Sequence, residues 1–167
     1  MTRRLAVGVV VLLAASADAG IEHTILNGVV VAHVRSSVGP GALPGVTKEA
    51  LVALAEARLK DGGVRRSLTA DPDLLISVAV TKGQSGSCFV TIDARLVEEA
   101  RLERNGLRVE AVSWSGGSRV VVGAVPDATA SVPEQCAKLT MHAADGLVRD
   151  FVEHYRAMNP GVQTGSK

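Results

Sequence analysis

An α+β fold is predicted, with elements in the order β-α-β-β-β-α and an antiparallel sheet carrying two helices packed on one face. Three observations predict it. From Cys88 to Glu103 apolar and polar residues alternate with a period of two, and the stretch runs into Asn105-Gly106. Thr47 and the box Ser131-Val132-Pro133-Glu134 each open a segment of helical periodicity. The chain has 167 residues, 47% hydrophobic and 21% charged, which is enough for one domain with a real core.

The elements follow in order. MTRRLAVGVVVLLAASADAG reads as an export signal: Arg3 and Arg4, an apolar run from Leu5 to Ala15, then Ala17-Asp18-Ala19 as a cleavage site. Residues 1–19 are therefore assigned to a signal peptide. The competing reading, a membrane anchor, needs about 20 apolar residues, and this run is shorter. Arg3-Arg4 hints at twin-arginine export, but the rest of that signal is missing. No cysteine follows the run, which argues against a lipid anchor. Residues 20–159 form a single α+β domain in this reading, and 160–167, PGVQTGSK, a flexible tail.

Gly28 to Val34, GVVVAHV, is the first expected strand, and the loop SSVGPGALPG follows it. Thr47 caps the first helix, with Val46 and Leu51 as a hydrophobic staple. Its buried stripe is Leu51, Leu54, Ala55 and Leu59, and Gly62-Gly63 ends it. Leu74 to Val80 is the second strand, and KGQSGS turns it into the third.

The charge-rich run RLVEEARLER inside the third strand has helical propensity, so a helix over Ala94 to Arg104 competes. Periodicity favours the strand. Cys88, Val90, Ile92, Ala94, Leu96, Ala100 and Leu102 share one parity, broken only by Glu98. A two-residue turn at Asn105-Gly106 would set Leu102 opposite Val109 and Arg101 opposite Glu110, apolar on apolar and charge on opposite charge. The fourth strand runs through Trp114. Ser115-Gly116-Gly117-Ser118 is either a turn before a fifth strand or a bulge. The last helix starts in the capping box with Pro133 in its first turn and reaches about Asn159. Cys136, Ala143, Leu147, Phe151, Tyr155 and Met158 lie roughly on one of its faces.

Composition narrows the function. Loss of Arg3, Arg4 and Asp18 takes 18 basic residues to 16 and 17 acidic residues to 16, so the mature chain is neutral. A neutral chain lacks the electrostatic footprint of a nucleic-acid or anionic-membrane binder. Phe89, Trp114, Phe151 and Tyr155 are the only aromatics, too few for a base-stacking platform or an extended sugar groove. Cys88 and Cys136 each start an apolar face pointing at the same core. Export would place them in an oxidising compartment, so a Cys88–Cys136 disulfide is expected, against the alternative of two buried thiols.

Catalytic motifs are not found. His23, His33, His142 and His154 stand in no metal spacing, and no metal or cofactor site is assigned. His142 and Asp145 share a helix surface at i, i+3, the geometry of an ordinary surface contact. Gly83-Gln84-Ser85-Gly86-Ser87 resembles a nucleophile elbow but joins two strands instead of leading into a helix. Trp114 shares parity with Val112, Glu110 and Arg108 on the wetter face. That makes it the candidate binding residue, against the plainer reading of an indole covered by its own fold.

TKEALVALAEARLKDGGV, the strand pair around Cys88 to Leu102, the Trp-Ser that follows and DGLVRDFVEHYRAMNP together resemble a group of short exported bacterial α+β proteins without assigned activity. The likeness covers most of the mature chain and implies a bacterial source. The topology also looks like that of small periplasmic assembly lipoproteins, such as the one that plugs the lipopolysaccharide transporter. This chain departs from those in lacking a lipidation cysteine. The expectation is a periplasmic or secreted, non-enzymatic binding or envelope-assembly module with a protein partner in the envelope. It binds no nucleic acid and keeps no membrane span after signal cleavage. The alternative is a small periplasmic hydrolase using His33 or His142.

Overall fold

The computed structural model describes residues 26–31, 33–41, 43–67, 72–82, 88–123 and 131–161. The signal peptide 1–19, His23, the 83–87 loop and most of the tail lie outside the described residues. The elements are β1 (Val34–Val38), α1 (Lys48–Asp61), β2 (Asp73–Lys82), β3 (Cys88–Arg101), β4 (Arg108–Gly123) and α2 (Val132–Met158). The class is α+β and the element order is the expected one. The four strands form one sheet in the order β1-β2-β3-β4.

The sheet is mixed, which corrects the expectation of a purely antiparallel one. β1 pairs with β2 in parallel, Val34 opposite Leu74 and Val38 opposite Val78. β2–β3 and β3–β4 are antiparallel. The reason is connectivity. β1, α1 and β2 make a strand-helix-strand unit, and a helical crossover returns the chain in the same direction.

The first strand also sits further along than its hydrophobicity suggests. Val31 makes only an isolated bridge to Arg66, and regular pairing begins at Val34. The apolar run marks burial, since Val31 is fully buried. The ladder follows the partner strand instead, and Ser36 donates its hydroxyl proton to the Lys48 carbonyl at 3.0 Å.

α1 begins as its cap requires, with the Thr47 hydroxyl oxygen accepting from the Ala50 N–H at 3.1 Å. Leu51, Ala55 and Leu59 are its buried stripe, with Leu54 packed alongside. Gly63, at φ +70°, ends the helix. The Val64 N–H returns to Leu59 O and the Gly63 N–H to Lys60 O, the paired bonds of a Schellman motif. Arg156 from α2 covers the same end, donating to the carbonyls of Gly62 and Asp61 at 3.0 Å each. A cation there also complements the helix dipole.

At the start of α2 the Glu134 carboxylate accepts from both the N–H and the hydroxyl of Ser131, at 2.9 and 3.0 Å. Its far end is tied by Asn159. The side-chain amide donates to Leu26 O, and its oxygen accepts from the Gly28 N–H. Asn159 thus fastens the segment before β1 to the end of α2. The expected stripe of α2 is buried from Cys136 through Tyr155, with Met158 partly covered.

One core joins these parts. Leu74, Ile76 and Val78 of β2 and Val90, Ile92, Ala94 and Leu96 of β3 face Leu51, Ala55, Leu59, Leu147, Val148, Phe151 and Tyr155 of the helices. The alternating register of β3 is therefore the device that separates a helix-covered face from an open one.

Cys88 at the start of β3 and Cys136 in the first turns of α2 come to disulfide distance, with Cα atoms 6.6 Å apart. Both are buried.

α1 and α2 are further joined by Asp145. Its buried carboxylate receives Arg58 of α1 and, at 2.6 Å, Arg149 one turn on. Burial pushes the Asp145 carboxyl up, but the hydrogen bond and charge of Arg58, with Arg149 behind them, outweigh that and hold it below the usual 3.8. A carboxyl depressed in the fold contributes stability above its unfolded pKa and loses it as pH falls through the folded one. Asp145→Asn is therefore expected to lower the urea midpoint at neutral pH. The gap from the parent protein should close on acidification below the carboxylate range. A gap that stays constant with pH would show that the pairing is not its source.

Candidate functional site

The hairpin between β3 and β4 is not the expected two-residue turn. Gly106 adopts φ +69°, and its N–H closes on Leu102 O at 2.7 Å. The Asn105 side-chain oxygen accepts from the Leu107 N–H. The loop is thus longer, and the register slides by two. Arg101 faces Arg108, Ala100 faces Val109 and Glu99 faces Glu110. A slip of two keeps every side chain on its expected face but changes its partner. Like charges now stand opposite, and the diagonal pair Arg108–Glu99, at 2.9 Å, relieves them.

Further along β4 the Ser115–Ser118 stretch is a bulge and not a turn. β4 runs unbroken to Gly123, with Asp93 opposite Ser118 but Arg95 opposite Ser115. Gly117 supplies the positive φ, +73°. A second irregularity leaves Ser113 without a cross-strand partner, since Leu96 faces Trp114 while Val97 faces Val112. This extra residue reverses the parity. Val112 stays outside at 53% exposure, and Trp114 turns into the core at 5%.

The expected placement of Trp114 on the wetter face is therefore corrected. Its ring meets Phe151 edge-on, centroids 5.0 Å apart, and lies 6.2 Å from His154. Gly116 leaves the room the indole needs, because a Cβ there would come within 2.8 Å of the ring.

What remains accessible is the open face of the sheet. Toward its end nearest Cys88, the described side chains carry no charge. Phe89 and Val120 are 44% and 43% exposed, with Ala79, Thr81 and Thr91 beside them. The hairpin end is charged. Arg35 of β1 bridges Asp73 of β2 at 2.9 Å and reaches Glu110 of β4 at 3.3 Å. A link between the first and last of four strands requires a strongly twisted sheet. Val97, opposite Asp73 in the ladder and lining the same place as Arg35, is only 7% exposed although it lies on the open face. Arg35, Asp73, Val97, Glu99, Arg108 and Glu110 line a shallow basin of about 250 Å³. Apart from Asp73 the bridging side chains are well solvated, so the Arg35–Glu110 and Arg108–Glu99 pairs each stabilise by only about 0–1 kcal/mol. The basin therefore adds little to the stability of the sheet.

The histidines do not gather at this face. His33 is exposed just before β1, where its backbone N–H donates to Asp73. His142 and His154 are exposed on α2, in the helix layer. His142 makes no ion pair with Asp145, whose carboxylate is taken by Arg58 and Arg149. Among the described residues no three His, Cys, Asp or Glu side chains are grouped to hold a metal ion. Among the same residues no helix is long and apolar enough to cross a membrane.

The open face was partly legible in the alternation of β3, which already set Phe89, Thr91 and Arg95 apart from the core. The exposure of Val112 was legible too, whereas the burial of Val97, the span of Arg35 and the inward turn of Trp114 were missed, because they depend on partners distant in sequence and on an extra residue in β4. The Gly-Gly pair at 116–117 was the available signal.

No family model and no curated protein matches the chain. A solved structure, a PelC dodecamer from Paraburkholderia phytofirmans, is similar at 17% identity over 72% of this chain and 91% of that one. Its TM-score is 0.28, a likeness too distant to carry an argument about this chain.

Proposed function

We propose that this chain is a non-enzymatic binding module of the bacterial envelope, exported to the periplasm or secreted, which docks a protein partner on the open face of its sheet. The observation that carries the reading is the division of that face. An end whose described side chains carry no charge, around Phe89 and Val120, adjoins a charged end built from Arg35, Asp73, Arg108 and Glu110. Apolar anchor next to polar rim is the anatomy of a transient protein interface. The neutral mature charge disfavours polyanionic ligands. Export rests on the signal-like segment 1–19 and on the buried cysteine pair, which suits an oxidising compartment.

The test is photo-crosslinking in envelope preparations. A photoreactive residue replaces Phe89 or Val112 on the open face, or His142 on the helix layer. One protein captured from both open-face positions and not from His142 is the expected result. Capture that does not distinguish the faces, or none from either, would overturn the reading.

A further inference from the structure

β4 is an edge strand, and its two halves treat the edge differently. The half from Arg108 to Gly117 carries the usual protections against strand addition. Arg108 and Glu110 are charged and exposed, Ser113 is an extra residue in the ladder, and Gly116–Gly117 form a bulge. The half from Ser118 to Gly123, SRVVVG, carries none. Its pairing with β3 is regular, Ser118 to Asp93 through Gly123 to Cys88. Three consecutive valines give it high strand propensity. Its single charge, Arg119, is withdrawn from the edge. The guanidinium lies against Gly146 of α2, where a side chain would collide with it, and pairs with Asp150. Val120 is left 43% exposed beside a row of outward backbone groups with no partner strand among the described residues.

We propose that the edge of β4 over Ser118–Val122 pairs antiparallel with the same segment of a second copy of this chain, joining two four-stranded sheets into one. The segment is self-complementary. With the two-fold axis at Val120, each Val120 faces its counterpart and each Arg119 faces Val121 of the second copy. No like charges then stand opposite each other, which elsewhere along β4 would cost stability. Pairing centred near Arg108 or Glu110 would meet the bulges and the charged rows. A closed two-fold contact of this kind is also the commonest form of self-association. The pairing brings the two Phe89–Val120 patches side by side on one continuous face. It rests on the edge alone and stands whether or not that face docks another protein.

Light scattering on the purified protein tests it. The expected mass is twice that of a single mature chain, at concentrations up to about 0.1 mM, where even a micromolar contact is filled. Val120→Lys sets two cations face to face and is expected to weaken association more than tenfold, with the circular dichroism unchanged. Val120→Cys is expected to crosslink the two copies on mild oxidation, whereas Val112→Cys, more exposed but in the bulged half, is not. A single-chain mass throughout the range would overturn the proposal. So would crosslinking at Val112 in preference to Val120.

Discussion

Replacing Cys88 or Cys136 by serine is expected to cost about 4 kcal/mol of folding stability, on the loop-entropy account of a cross-link. The two residues are 48 apart in sequence, and the loop they close contains all of the β3–β4 hairpin. Tied, the start of β3 and the first turns of α2 cannot separate in the unfolded chain. Both sites are buried, so the serine hydroxyl would also lose its water. Urea unfolding with and without reductant separates the two contributions. The parent protein should lose stability on reduction, and the Cys88→Ser protein should be indifferent to it. Two titratable thiols in the unfolded, unreduced protein, with no effect of reductant, would show that the pair only packs.

Phe151→Ala is expected to cost about 3–5 kcal/mol, the usual range for emptying an aromatic site in a core. Phe151 is fully buried between Trp114, at 5.0 Å, and Tyr155, at 6.3 Å. Its loss opens a cavity under the indole that β4 turns inward. Because Trp114 is the single tryptophan, its fluorescence reports this place alone. The emission should shift to the red as water reaches the ring, alongside a fall in the urea midpoint. Phe151→Leu, which keeps much of the volume, should do less. Phe89→Ala, on the open face, should change stability by no more than about 0.5 kcal/mol. Similar losses at Phe89 and Phe151 would contradict the division of the sheet into a covered and an open face.

These residues also show where sequence reading succeeds and where it stops. Thr47, Gly62-Gly63 and Ser131 to Glu134 act through bonds to neighbours within a few residues, so the ends of both helices could be read directly. The helical look of RLVEEARLER gave way to the period of two, because the strand buries a continuous apolar row against α2. The two-residue slip at Asn105-Gly106 left the faces intact for the same reason: parity survives any even shift.

The amino-acid sequence by itself determined the element order, the helix caps, the covered face of β3 and the orientation of both cysteines toward one core. Each follows from periodicity or from short-range hydrogen bonds, which the local chain specifies alone. Only the tertiary structure decided that β1 runs parallel to β2, that Trp114 is inside, that Val97 is buried on the open face and that Arg119 is drawn off the sheet edge. Those depend on single-residue bulges and on partners distant in sequence. One extra residue opposite Leu96 and Val97 is enough to exchange the inside of a strand for its outside.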